Sequence, residues 1–155
     1  MPVHLPEPIP DIDLLAADEE SSTLLIAELK LVRKPLRPAE IGRSSAEVLK
    51  GVAQLADIRK FLEASPEHLR RLGRLPRRVD AYEHVYYMVA ARDHWCWTES
   101  GGAAMVTFEA LAETLRSEGS LRDNLEALLR SEWLPLEGRD FYVPYDADSV
   151  IECSI

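Results

Sequence analysis

The sequence is poor in cysteine and glycine, and it contains no long hydrophobic run. Its two cysteines, Cys96 and Cys153, lack the spacing of a metal or redox motif, so we expect reduced thiols in a cytoplasmic protein. No apolar run approaches the roughly 20 residues of a membrane-spanning helix, which predicts no membrane partner. The first ten residues lack the basic and apolar regions of a secretory signal, so we expect none. Seven glycines form no linker, so residues 1–155 are predicted to form one domain.

Positive charge is scarce overall but concentrated in the middle of the chain. The whole chain carries a net charge of −9, yet residues 30–78 contain thirteen Lys and Arg against five Asp and Glu, a local net charge of +8. A basic segment between acidic flanks is typical of a surface that binds a polyanion such as nucleic acid. Solvated helix faces would give the same composition, so charge alone leaves both interpretations open.

Residues 11–31 have the pattern of a β-hairpin. The stretches "DIDLLAAD" and "TLLIAELKL" alternate as strands do, and the polar residues 19–22 between them predict a four-residue turn. In that register Asp18 faces Thr23, and Asp13 lies directly opposite Glu28. Because successive strand side chains alternate between faces, Lys30 shares the face of Glu28. The hairpin therefore predicts two carboxylates and one ammonium group on the same face.

Two opposed carboxylates need a positive charge between them. Directly opposed side chains have Cβ atoms ~4.5–5.5 Å apart, so Asp13 and Glu28 would repel each other without a cation. Mg²⁺ is bound in proteins by one or two carboxylates and keeps several waters, and Mn²⁺ accepts the same ligands. Lys30 would stabilise developing negative charge or help position a water. We therefore predict a Mg²⁺ or Mn²⁺ site suited to phosphodiester hydrolysis.

The rest of the chain predicts alternating helices and strands. Ser44 and Glu47 have the spacing of a capping box, so we predict a helix that begins at Ser44 and carries Gln54 on residues 44–64. Beyond it we predict a short basic helix followed by a loop, strands within 84–97 and 103–108, and helices within 108–119 and 121–133. Residues 134–155 have strand character and no clear partner. The expected fold class is α/β (α+β), a mixed sheet flanked by helices.

The stretch "PDIDLLAADEESSTLLIAELK" resembles the core motif of the PD-(D/E)XK nuclease superfamily. That motif has an acidic residue at a strand start, a hairpin, and then (D/E)-x-K on the next strand, which Asp13 and Glu28-Leu29-Lys30 match. The resemblance implies that Asp13, Glu28 and the backbone carbonyl of Leu29 bind the metal and that Lys30 is the catalytic lysine. Asp11 is the alternative acidic ligand if the register is shifted by two residues. The resemblance implies a restriction-endonuclease-like sheet.

The resemblance covers about residues 10–64, and residues 65–155 carry no motif of the family. Members often have a Gln on the helix after the (D/E)-x-K strand with Tyr four residues later, and here Gln54 is followed by Ile58. The superfamily core usually begins with a helix and a strand for which the residues before Asp11 leave no room. The chain would then be part of a longer protein, be completed by a partner, or have its later elements rearranged.

The resemblance implies a metal-dependent nuclease that cleaves DNA more readily than RNA, with Gln54 supporting the site. A homodimer or a partner domain that completes the fold is also expected. The alternative is a catalytically inactive nuclease-like domain that serves nucleic-acid docking or protein assembly. The candidates for contact with nucleic acid are basic residues of the central segment: Lys34, Arg37, Lys50, Arg70, Arg71, Arg74, Arg77 and Arg78.

Overall fold

The computed structural model describes residues 11–32, 38–92 and 103–130. Within these ranges the chain forms a four-stranded mixed sheet flanked by helices, so the predicted α+β class with a mixed sheet is confirmed. None of the helices in these three ranges is long and apolar enough to cross a membrane. The predictions for a missing leading helix and for a strand after residue 134 fall outside the described residues.

The hairpin that opens the sheet has the predicted register. Strand β1 (Leu14–Asp18) pairs antiparallel with β2 (Thr23–Leu31), with Asp18 opposite Thr23. The prediction that the first strand begins at Asp11 is wrong, because β1 starts only at Leu14. The carboxylate of Asp13 accepts a hydrogen bond from the backbone N–H of Leu29 at 2.9 Å, in place of a backbone partner from the first strand.

The helix after the hairpin is longer than the sequence pattern predicts. Helix α1 spans Pro38–Ala64, so the prediction that Ser44 caps its N-terminus is wrong, and Ser44 is buried inside the helix. Proline suits the first helical position because its fixed φ is helical and its missing N–H would have no partner there. Glu40 in the first turn adds a favourable interaction with the helix dipole. The predicted apolar stripe is confirmed as a buried face: Val48, Val52, Leu55, Ile58 and Leu62.

Helix α1 connects β2 to a parallel neighbour. After α1 come the short helix α2 (His68–Arg71), a 3₁₀ turn (Val79–Ala81) and β3 (His84–Arg92). Strand β3 pairs parallel with β2, and β4 (Ala104–Thr107) pairs parallel with β3, which gives the order β1-β2-β3-β4. Residues 65–83 therefore lie at the amino ends of the parallel strands, and Glu28 and Lys30 lie near their carboxyl ends.

Strand β2 is buried on both faces, which explains its nearly continuous apolar sequence. On one face Leu24 and Ile26 pack with Val89 and the buried face of α1. On the other face Leu25 and Ala27 pack with Met88 and with buried leucines of two further helices. These helices are α3 (Phe108–Arg116) and α4 (Leu121–Arg130). The sheet therefore separates two cores, and Glu28 and Lys30 lie on its α1 side.

Asp18 links the end of β1 to the start of α4. Its Oδ2 accepts hydrogen bonds from the Ser21 hydroxyl at 2.6 Å and from the Leu121 backbone N–H at 3.0 Å. These bonds, led by the one from Ser21, lower the pKa of Asp18 below its ordinary value of 3.8. A carboxyl group whose pKa is lowered by folding stabilises the protein above that ordinary value. This contribution is lost as the pH falls through the pKa of the folded state.

Replacing this carboxylate tests the link. We expect Asp18→Asn to lower the free energy of unfolding by about 1–2 kcal/mol near neutral pH. The difference from the wild type should shrink below about pH 3.8, because the carboxyl group of the unfolded chain is then protonated, and it should vanish below the lower pKa of the folded state. Urea denaturation at neutral and acidic pH measures both effects, with Glu20→Gln in the same turn as the control. An equal loss at both pH values would contradict a role for the charge.

Candidate metal centre

The predicted site residues meet at the carboxyl end of β2. Asp13 precedes β1, Glu28 and Lys30 lie on β2, and Gln54 lies on α1, which packs over this end of the strand. The pairing of Leu14 with Ala27, extended by one residue, sets Asp13 opposite Glu28. Asp11, the alternative ligand, is exposed and lies two residues farther from that pairing. Of the two aspartates, the observed register favours Asp13 as the partner of Glu28.

Asp13 is held against the backbone of Leu29. Its Oδ2 accepts the hydrogen bond from the Leu29 N–H at 2.9 Å. In an antiparallel pair a residue directs its N–H and its C=O to the same neighbouring strand. The carbonyl of Leu29 is therefore directed to the side on which Asp13 lies. One carboxylate and one backbone carbonyl thus share this side of β2, as the family resemblance implies.

Glu28 has a buried carboxylate in which only one of the two oxygens accepts a hydrogen bond from the described residues. Only 4% of the residue is exposed, and its Oε1 accepts a hydrogen bond from Nζ of Lys30 at 2.7 Å. Its Oε2 is buried and has no hydrogen-bond partner among the described residues. Burial raises the pKa of Glu28, the Lys30 ammonium group opposes that rise, and the nearby charge of Asp13 adds to it. A buried carboxylate oxygen without a partner is costly, and a bound cation would satisfy it.

Lys30 is held between the sheet and α1. Its Nζ donates to Oε1 of Glu28 and to Oε1 of Gln54, the second at 2.5 Å. A Cβ atom added to Gly51 would lie 3.0 Å from Cε of Lys30 and 3.4 Å from Cγ of Glu28. The absence of a side chain at Gly51 therefore lets α1 approach the site closely. The predicted neighbours Glu28, Lys30 and Gln54 are brought together by direct contacts.

Two further residues of α1 border the site and were not predicted to do so. Gly51 lies one turn before Gln54 and packs on Lys30, as described above. Glu47, predicted only as a capping residue, forms an ion pair with Lys50 at 2.5 Å. The hydrogen bond from Lys50 lowers the pKa of Glu47, and the charge of Lys30 makes a smaller contribution in the same direction. Gly51 lies three residues before Gln54, and Glu47 lies four residues before Gly51. This helical spacing was the only sequence signal that these residues share a side of α1 with Gln54.

The donor set fits a hard divalent cation. It combines the carboxylates of Asp13 and Glu28 with the carbonyl of Leu29, all of them oxygen donors. Within residues 11–32, 38–92 and 103–130 no group of three or more His, Cys, Asp or Glu side chains could hold a metal ion. Mg²⁺ is commonly held by only one or two carboxylates and keeps the remaining positions for water. The two carboxylates are therefore a sufficient protein contribution for that ion.

The arginines of the basic segment lie far from this site. Residues 65–83 adjoin the amino ends of β2 and β3, whereas Lys30 is near the carboxyl end of β2, about 23 Å along the strand from Thr23. Lys50 is the one predicted nucleic-acid contact in the described residues that borders the site, on α1. Lys34 and Arg37 lie outside the described residues. Among the described residues, Lys50 thus lies at one end of the sheet and the five arginines lie at the other.

Three of the five arginines are engaged in contacts within the domain. Arg77 lies over the ring of Tyr82 at 4.1 Å, and its Nε is 3.1 Å from a carboxylate oxygen of Glu19. Tyr82 also donates a hydrogen bond to Glu19 at 2.7 Å. Arg78 binds Asp80 through two hydrogen bonds, and Arg71 pairs with a glutamate of its own helix turn. Arg70 and Arg74 are exposed and have no ion pair within the described residues.

Comparisons of the chain with protein-family models, curated proteins and solved structures found no match. The function of the chain is therefore inferred from the geometry of the site and from the resemblance of its residues to the nuclease motif.

Proposed function

We propose that this chain is a metal-dependent nuclease of the PD-(D/E)XK type that hydrolyses phosphodiester bonds, in DNA more readily than in RNA. The observation that carries the proposal is the buried Oε2 of Glu28, which has no partner among the described residues beside an opposed second carboxylate. Asp13, Glu28 and the Leu29 carbonyl would hold Mg²⁺ or Mn²⁺. When bound, such an ion lowers the pKa of its water and neutralises charge on the phosphate.

The remaining residues would position the reacting groups. Lys30 has a fixed ammonium group beside Glu28, where it would orient the attacking water or offset negative charge on the phosphate in the transition state. Gln54 accepts a hydrogen bond from that ammonium group and limits its movement. Lys50, on the outer side of α1, is suited to a phosphate farther along the strand. Lys30 and Gln54 would thus act at the reacting phosphate, and Lys50 would act on a neighbouring one.

A second candidate function, docking of nucleic acid without catalysis, is favoured by one observation. Arg70 and Arg74 are exposed at the end of the sheet opposite the carboxylates, where binding would not involve the metal ligands. A docking domain would bind nucleic acid there and show no divalent ion between Asp13 and Glu28. Metal binding therefore separates the two functions.

A homodimer or a partner domain belongs to the same proposal. Strand β1 is at the end of the order β1-β2-β3-β4, so its outer edge has no strand partner among the described residues. An open edge of this kind can pair with a strand from another chain. A cytoplasmic location also remains our expectation, based on the two cysteines of the sequence.

The test is calorimetric titration of Mg²⁺ and Mn²⁺ together with cleavage of plasmid and single-stranded DNA. We expect the wild type to bind the ion and cleave, and Asp13→Asn to lose both while it remains folded. Asp11→Asn is the matched control, because Asp11 is an exposed aspartate two residues away. It should retain both properties. Cleavage that survives Asp13→Asn would overturn the proposed site, and nucleic-acid binding without metal binding would favour docking instead.

A further inference from the structure

A pocket lies on the α3 side of the sheet, at the same end as the carboxylates. Its volume is about 720 Å³, within the range of small-molecule sites. It lies between the carboxyl ends of β2 and β3 and one side of α3, from Phe108 to Arg116. Crevices outside the carboxyl ends of parallel strands are the usual ligand sites of such sheets. The residues that line it include Leu29, Lys30, Leu31, Arg92, Phe108 and Arg116.

Two large apolar side chains are exposed in this pocket. Leu31 is 81% exposed and Phe108 is 43% exposed, although both belong to regular elements. Phe108 is the first residue of α3, and Thr107 fixes that position by accepting a hydrogen bond from the backbone N–H of Ala110 at 3.1 Å. The Phe108 ring therefore extends from a helix start that is held by this capping hydrogen bond. An exposed aromatic ring in a cavity offers a stacking surface for a planar ligand.

The charges around the ring match a nucleotide. Arg92 and Arg116 line the pocket, and a guanidinium group can bind phosphate with two parallel hydrogen bonds. Glu109 and Glu113 bring carboxylates, which accept hydrogen bonds from the amino groups of bases. Aromatic, cationic and acidic groups together are suited to a base and its phosphate.

The pocket shares two of its lining residues with the candidate metal centre. Leu29 and Lys30 line the pocket, the carbonyl of Leu29 is a candidate metal ligand, and Lys30 contacts Glu28. A nucleic-acid strand that passes the end of β2 would thus meet the metal centre on one side of the sheet and Phe108 on the other. A base can reach a pocket of this kind only when it is unpaired.

We propose that this pocket binds an unpaired base next to the phosphate that is cleaved, so that the substrate is single-stranded or locally unpaired nucleic acid. The inference rests on the proposed function for its reference to cleavage, but binding in the pocket requires no metal. Phe108 stacks on the base, and Arg92 and Arg116 bind the adjoining phosphate.

The test is binding of a fluorescein-labelled single-stranded oligodeoxynucleotide rich in cytosine and adenine, measured by anisotropy with EDTA present. We expect Phe108→Leu to weaken binding roughly tenfold, because it keeps an apolar side chain but removes the stacking ring. Phe108→Tyr should retain the wild-type affinity. Leu72→Ala, at an exposed leucine near the opposite end of the sheet, is the control and should bind as the wild type does. Binding to a matched duplex should be the same for all four proteins.

Cleavage kinetics then separate this inference from the proposed function. With Mn²⁺, we expect Phe108→Leu to raise KM for single strands roughly tenfold and to leave kcat nearly unchanged. Cleavage with equal affinity and KM in Phe108→Leu would overturn the base pocket and leave the nuclease proposal intact. A wild type that binds single strands through Phe108 but never cleaves would support the pocket and overturn the nuclease proposal. A wild type that does not bind single strands would overturn the pocket.

Discussion

Replacing Lys30 with methionine is expected to reduce metal-dependent cleavage by roughly 10²–10³-fold or more, because the ammonium group that would offset charge in the transition state is removed. Methionine keeps much of the length and the apolar character of the lysine stem, so the packing below Gly51 is retained. The ligands for the divalent ion remain in place. We therefore expect calorimetry to detect metal binding in Lys30→Met although cleavage is lost.

Removing Lys30 is also expected to lower the free energy of unfolding, so its effect on cleavage is measured together with stability. Glu28 is buried and its Oε1 depends on Lys30, so removing the lysine leaves an unpaired buried carboxylate. The expected loss of stability is about 3 kcal/mol, at the lower end for buried pairs because the Lys30 side chain is 18% exposed. The double variant Glu28→Gln with Lys30→Met removes that charge. We expect it to recover stability but not cleavage.

Glu28→Gln alone completes this series. Burial raises the pKa of Glu28 above its ordinary value of 4.5, so ionised Glu28 opposes folding. The stability due to the protonated form is present below pH 4.5 and is lost as the pH rises through the pKa of the folded state. We expect Glu28→Gln to abolish this loss of stability at higher pH, to bind no metal and to cleave no DNA. Cleavage by Glu28→Gln, or by the double variant, would exclude this site as the catalytic centre.

Replacing Gly51 with alanine is expected to reduce cleavage roughly tenfold to a hundredfold without unfolding the protein. The new Cβ would lie 3.0 Å from Cε of Lys30 and 3.2 Å from Cγ1 of Val89, both closer than ordinary contacts. Val89 is fully buried and Lys30 is a flexible side chain, so the lysine is the group that moves. Its hydrogen bonds to Glu28 and Gln54 would lengthen. The ammonium group would then be misplaced in the candidate site.

The same helix supplies the control for this substitution. Gly42 is also in α1, and a Cβ atom added there would meet nothing within 4 Å. Gly42→Ala should therefore show only the gain from helix propensity, about 0.5–1 kcal/mol, with unchanged cleavage. In Gly51→Ala the crowding should offset that gain. Thermal unfolding and cleavage rates of the two variants measure the difference, and equal behaviour would contradict a close approach of α1 to Lys30.

The local features of the hairpin were predictable because they depend on neighbouring residues. Alternation and the four-residue turn determined the pairing of Asp18 with Thr23, and this register placed Asp13 opposite Glu28. The helix start was predicted wrongly because the spacing of Ser44 and Glu47 also occurs inside helices, and Pro38 six residues earlier is a suitable first residue. Two local patterns for a helix start compete in this segment.

Contacts between residues far apart in the chain could not be predicted from local sequence patterns. Nothing in the pattern linked Asp18 to Leu121, which is 103 residues away, or Gly51 to the stem of Lys30. The basic segment was predicted from charge alone, and charge does not say which end of the sheet a segment adjoins. The parallel pairing of β2 and β3 determines that position. The role of Arg77 in holding Glu19 and Tyr82 follows from the same topology.

The two carboxylates of the candidate site belong to segments whose backbone amides we expect to exchange with solvent at different rates. Glu28 directly follows residues 24–27, which have no exposed surface, so amide hydrogens there exchange only when much of the domain unfolds. Asp13 is exposed and lies before the first strand, where only the partly buried Ile12 beside it packs on a core, so opening this segment costs less than opening β2. The Leu29 amide is bonded to Asp13, and its exchange rate therefore reports how often the two carboxylates separate. A cation held by both would slow exchange at that single amide.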